Sequence, residues 1–104
     1  MKKQTKKRVK KFIPIENYAA EVLRETFEDI EASQAEVARA TGIPAPHLSE
    51  MKKGRRRFTP EVDLRLSRYF GITPGYFLRL QLRFDLETVK EEAGERVEKE
   101  VTPA

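Results

Sequence analysis

A helix that begins at Ser33 has to end at Gly42, and no other feature constrains this chain as tightly. Ser33-Gln34-Ala35-Glu36 has the spacing of a capping box. In that device the serine oxygen accepts from the Glu36 N–H while the Glu36 carboxylate accepts from the Ser33 N–H. Thr41-Gly42 closes the helix, because glycine takes the left-handed conformation past a helix end without a Cβ penalty. Ile43-Pro44-Ala45-Pro46 opens a second helix, since a first-turn proline gives up only an N–H that has no partner there. In that helix Leu48 and Met51 share one face and His47 and Glu50 another, so the apolar pair anchors it and the polar pair faces out. Gly54 ends it, and Arg55, Arg56 and Arg57 follow. Ala35 and Ala38, small and three apart, allow another backbone to approach the first helix closely. The spacing predicts helices over about 34–40 and 45–53.

Two short helices joined by a tight glycine turn form a helix-turn-helix. The stretch resembles the lambda-repressor-like (XRE) family, and the run from Tyr18 to Leu86, 69 of the 104 residues, is similar to the HigA-type antitoxins within it. The landmarks fall in order: Leu23-Arg24-Glu25, Ser33-Gln34, Gly42, Pro44-x-Pro46, Gly54, Arg65-Leu66, Phe70-Gly71 and Thr73-Pro74. The chain departs from the family at Tyr18-Ala19-Ala20-Glu21, where His-Pro-Gly-Glu is usual. Carried over position by position, the resemblance implies that Ala45, Pro46, His47 and Glu50 face bases, with Pro44 at the mouth of the reading helix. It also implies that Ser33 and Gln34 brace against phosphate, and that Lys53, Arg55 and Arg56 ride over the backbone beside the major groove. Ala45 and Pro46 offer apolar surface suited to a thymine methyl, His47 could donate to guanine, and Glu50 could accept from cytosine. Pairing of Glu50 with Lys53 at i, i+3 is the alternative.

Charge is distributed in blocks. Residues 1–11 carry seven bases and no acid, 12–51 sum to −6, 52–84 to +7 and 85–104 to −4, giving +4 in all. Positive charge thus gathers at the N-terminus and directly after the reading helix, as in a nucleic-acid binder, with a plain soluble basic surface as the alternative. A chain of 104 residues without cysteine supports one small domain, with no disulfide framework and no thiolate metal site. The basic N-terminus lacks the apolar segment of a signal peptide, and no run is long enough to span a bilayer, so a cytoplasmic location is expected.

Along the chain, residues 1–14 read as a basic flexible arm, either a solvated tail or a segment that follows phosphates or enters a minor groove on binding. Phe12–Ile15 is an apolar lead-in. The first helix starts at Asn17, a good N-cap, and Val22, Leu23, Phe27 and Ile30 form its stripe. Thr59-Pro60-Glu61 starts another helix with core residues Val62, Leu66, Tyr69 and Phe70; Gly71 stops it, and Thr73-Pro74 starts the next by the same device. That last helix carries two stripes, Phe77, Leu80 and Phe84 on one side and Leu78, Leu82, Leu86 and Val89 roughly 160° away. A surface helix needs only one, so the second is expected to meet a partner chain, with burial by the lead-in Phe12–Ile15 as the alternative. Residues 91–104 read as an acidic tail or frayed helix.

One histidine, no cysteine, no phosphate-cradling glycine loop and serines without a base leave catalysis no foothold, and no cofactor is called for. The expected protein is an all-α, five-helix lambda-repressor-like helix-turn-helix domain at 15–90 with charged terminal tails. It is expected to dimerise and to place two copies of the third helix on a palindromic double-stranded operator, at half-site centres roughly 10–10.5 bp apart. The resemblance further implies an antitoxin that represses its own operon and sequesters a RelE-like mRNA-cleaving toxin. A free-standing regulator of the same fold, or an interaction module that does not read specific DNA, are the alternatives.

Overall fold

The structure, a computed structural model, describes residues 17–104. The basic arm at 1–14 and the lead-in Phe12–Ile15 lie outside the described residues. Five helices follow in order: α1 Tyr18–Ile30, α2 Gln34–Thr41, α3 Ala45–Lys52, α4 Pro60–Phe70 and α5 Tyr76–Glu100. No strand occurs among the described residues, and no helix there is long and apolar enough to cross a membrane.

Local chemistry sets most of the boundaries. Asn17 caps α1, its side-chain oxygen accepting from the Ala20 N–H at 3.2 Å. Thr59 caps α4 by accepting from Val62, with Pro60 at the first helical position and Gly71 left-handed (φ 72°) at the end. The end of α1 is different. Glu31 takes the left-handed conformation there (φ 54°), and no basic residue sits in the last turn. A residue with a Cβ is strained in that region by about 1–2 kcal/mol, and a carboxylate beside the negative end of the helix dipole adds to it. Glu31→Gly should therefore stabilise the domain by about 0.5–1 kcal/mol after the added chain entropy of glycine, visible as a rise in Tm. No rise would place the strain elsewhere.

The core gathers Ala19, Leu23 and Phe27 of α1, Val37 of α2, Leu48 and Met51 of α3, Leu66 of α4 and Phe77 of α5. Ile43 and Phe58 join from the connecting turns. Phe77 is completely buried; its ring stacks on Phe58 at 5.2 Å and meets Phe70 at 6.3 Å. The Phe58 peptide is held on both sides by one amide. Its N–H donates to Gln81 Oε1 at 2.7 Å and its carbonyl accepts from Gln81 Nε2 at 3.0 Å. That clamp fixes the turn after α3 onto α5.

Three expectations are corrected. Ile30 and Tyr69 are exposed rather than core. On the inner face of α4 the place expected for Tyr69 is taken by Asp63 and Ser67, each about 1% exposed. Thr73-Pro74 is not the start of the last helix, which begins after Gly75 (φ 89°), a residue with no side chain to cap with. The cap comes from α4: Asp63 accepts from the N–H groups of Gly75, Phe77 (3.0 Å) and Leu78 (3.2 Å), and from the Ser67 hydroxyl at 3.3 Å. Finally, α5 does not fray after Val89 but continues to Glu100.

Candidate nucleic-acid interface

The helix-turn-helix forms as its spacing requires. Ser33 Oγ accepts from the Glu36 N–H at 3.1 Å and the Ser33 N–H donates to Glu36 Oε1 at 2.8 Å, closing the capping box. The backbone bond from Ser33 holds the Glu36 carboxyl below the usual carboxylate range, helped by the Ser33 side chain and the charge of Arg39. Because the Ser33 oxygen is the acceptor in that bond, its own O–H proton is left to donate outward.

Gly42 turns the chain with φ 77°. A Cβ built on it would stand 2.8 Å from Arg65 Nη1, so a side chain there would be strained in conformation and would displace that guanidinium. Arg65 occupies that space because Nη1 donates to the Thr41 carbonyl at 2.9 Å, while Nε and Nη2 grip Glu61 at 3.0 and 2.8 Å. The guanidinium thus neutralises the carbonyl end of α2 and bolts it to α4.

The starts of α2 and α3 are tied directly. Gln34 Nε2 donates to the Ala45 carbonyl at 3.2 Å. An amide nitrogen carries two hydrogens, so one remains for a ligand at the N-terminus of α2, where free backbone N–H groups favour an anion. Beneath, Leu48 and Met51 are fully buried and fix α3 in rotation. Pro44 and Pro46 are exposed, and Ala45, His47 and Glu50 half-buried. Together they line the outer side and mouth of α3. His47 also borders a cleft of about 200 Å³ shared with Thr59, Glu61 and Arg65. No ion pair joins Glu50 to Lys53 among the described residues.

The basic run behind α3 divides in two. Lys52 lies over the Phe27 ring at 4.3 Å, and its carbonyl accepts from Arg24. Arg57 makes a two-pronged bond to Asp85 at 3.1 and 2.7 Å, which holds the Asp85 carboxyl below its ordinary range. Both are committed to the fold. Lys53, Arg55 and Arg56 are exposed and hold no ion pair among the described residues. They extend from the turn after α3, beside Gly54 (φ 75°).

The second stripe of α5 also divides. Leu78 is half-buried against the chain's own core, where the two stripes meet, and is a packing residue. Leu82, Leu86 and Val89 remain 54–62% exposed.

Residues 32–77 match the family model described as helix-turn-helix, which runs from just before α2 to the start of α5. An addiction module antidote protein of the HigA family from Coxiella burnetii is 32% identical with a TM-score of 0.76, and the match covers 84% of this chain and 96% of that one. The chain belongs to the HigA family. A Pseudomonas aeruginosa protein solved in complex with its operator DNA is 27% identical, with a TM-score of 0.79 and coverage of 84% and 97%. The Pseudomonas aeruginosa antitoxin HigA, solved with the higBA promoter, is 29% identical, with a TM-score of 0.76 and coverage of 83% and 95%. No curated protein sequence gives a match.

As in other HigA-type antitoxins, which are not enzymes, the helix-turn-helix is the organising element. The sequence alone showed its two helices and the basic run behind them. It did not show the Arg65 bond to the Thr41 carbonyl, nor the Arg24 bond to the Lys52 carbonyl that closes α3. The first had a weak signal in the Glu61 and Arg65 pair at i, i+4; the second had none.

Proposed function

We propose that this HigA-family chain is a sequence-specific DNA-binding repressor that autoregulates its own operon as the antitoxin of a type II module. The observation that carries this reading is the hydrogen bond from Gln34 to the Ala45 carbonyl. It locks the α2 N-terminus, a phosphate site, to the start of α3, so that one rigid unit presents phosphate donors and a reading helix together. The proposed base-facing set is Pro44, Ala45, Pro46, His47 and Glu50; the phosphate set is Ser33, Gln34, Lys53, Arg55 and Arg56. Structural relatives solved with operator or promoter DNA support the reading. A homodimer through Leu82, Leu86 and Val89 would present two such units to a palindromic operator in the cytoplasm. Neutralisation of a RelE-like toxin follows from the family and would be marked by a small basic α/β protein encoded next to this one.

The apolar start of α3 and the unpaired Glu50 favour one other reading, an interaction module that does not read specific DNA. A titration on the protein's own upstream DNA and on scrambled DNA, at two salt concentrations, separates them. The repressor should bind its own promoter at least about 10³ tighter, with a steep salt slope. Equal, weak binding to both would overturn it in favour of the module.

A further inference from the structure

Asn17 does more than start α1. Its Oδ1 accepts from the Ala20 N–H at 3.2 Å, and that bond fixes which end of the amide is which. Nδ2 is turned the other way, toward the end of α3: a Cβ built on Gly54 would stand 3.0 Å from it. Gly54, left-handed at φ 75° and without a side chain, gives the amide its place there. The two Nδ2 hydrogens meet no acceptor among the described residues.

Asn17 lines a cleft of about 110 Å³ between the turn after α3 and α5, and three arginines line it with no acid among them. Arg57 is taken up by Asp85, and the Gln81 amide by both sides of the Phe58 peptide. Arg55 and Arg56 hold no ion pair among the described residues. The side-chain polar groups left unpaired at the cleft are therefore two guanidinia and one amide nitrogen, all of them donors. A set of donors without an acceptor takes an anion, and two guanidinia favour a phosphate or carboxylate. The space is well below the roughly 300–1,000 Å³ of a pocket for an organic ligand, so the anion is a small group. The cleft beside His47 lacks this character, because Glu61 lines it.

We infer that the cleft seats a phosphate of the DNA backbone and that Asn17 Nδ2 is one of its ligands, beside Arg55 and Arg56. One amide then serves two ends: its oxygen caps α1 and its nitrogen receives the anion. This rests on the DNA-binding reading above and extends it by a neutral donor from a helix outside the helix-turn-helix. A neutral donor adds affinity without displacing counterions, which sets its signature apart from that of the arginines.

Two substitutions keep the cap and remove the donor. In Asn17→Ser the oxygen still caps α1 and nothing reaches the cleft; in Asn17→Asp, of the same shape, an acceptor replaces the donor. Serine and aspartate cap as well as asparagine, so Tm should move by no more than about 2 °C in either. Operator affinity of Asn17→Ser should fall by about tenfold per bound subunit, with the salt slope unchanged and the same loss on scrambled DNA. Asn17→Asp should bind more weakly still. Unchanged affinity in both variants would overturn the assignment and leave the repressor reading standing. A flatter slope in Asn17→Ser would overturn it too, because lost arginine contacts rather than a lost amide would then be the cause. A rise in the Tm of the free protein with inorganic phosphate, absent in Asn17→Asp while DNA affinity stays unchanged, would give the cleft to free phosphate instead. If the unmodified protein shows no salt-dependent DNA binding, the repressor reading fails first and this site fails with it.

Discussion

Asp63→Ala should lower the melting temperature by about 12–24 °C. Asp63 lies almost wholly buried on the inner face of α4 and takes the N–H groups of Gly75, Phe77 and Leu78 onto its two oxygens. Those are the first free donors of α5, and no side chain in α5's own leading turn can take them. Removing the carboxylate leaves three N–H groups without their acceptor, that of Phe77 buried and those of Gly75 and Leu78 partly so. Loss of a buried hydrogen-bonded charge costs about 3 kcal/mol, and each kcal/mol moves the midpoint of a domain this size by about 4–8 °C. Since α5 supplies Phe77 and the Gln81 clamp on Phe58, the loss should spread to the turn behind α3. Thermal melts followed by circular dichroism measure the total, and hydrogen exchange at Gly75, Phe77 and Leu78 localises it. Asp63→Asn keeps the shape with one acceptor oxygen and should fall between wild type and alanine. A change under about 1 kcal/mol in Asp63→Ala would mean that α5 is held by its apolar face alone.

That cap also marks where the sequence stops being legible. The starts of α1, α2 and α4 are written in nearby residues: Asn17 on Ala20, Ser33 on Glu36, Thr59 on Val62. A cap three residues away is a local pattern and can be read. Asp63 caps a helix that starts 13 residues later, so nothing near Tyr76 announces it, while Thr73-Pro74 imitates the signal used at Thr59-Pro60. The same buried carboxylate turns the α4 inner face toward Asp63 and Ser67 and leaves Tyr69 outside, against the apolar pattern. In the candidate interface the division is similar. Which residues lie on α3, and that Leu48 and Met51 anchor it, follows from spacing. Which of five neighbouring bases are free does not, because Lys52 and Arg57 are claimed by Phe27 and Asp85 from distant parts of the chain.

That sorting of the bases predicts a large and selective effect on DNA. Replacing Lys53, Arg55 and Arg56 together by alanine should flatten the log–log salt dependence of operator binding by about 2.7 per bound subunit, at about 0.9 for each phosphate contact. Near 0.1 M salt the counterion release behind each contact is worth about eightfold, so the affinity should fall about 500-fold per bound subunit. The loss should be nearly the same on operator and scrambled DNA, because phosphate contacts position the protein without reading bases. Stability should hardly change, as none of the three holds an ion pair among the described residues. Arg57→Ala is the control with the same charge change per residue and the opposite expectation. It breaks the exposed bridge to Asp85, a loss of at most about 1 kcal/mol in stability, and should leave the salt slope alone. If Arg57→Ala weakened DNA binding as much as Arg56→Ala does, general positive potential rather than placed contacts would govern binding. If the triple variant kept its slope, the turn behind α3 would not lie on the DNA backbone at all, and the phosphate assignment would have to move to Ser33 and Gln34 alone.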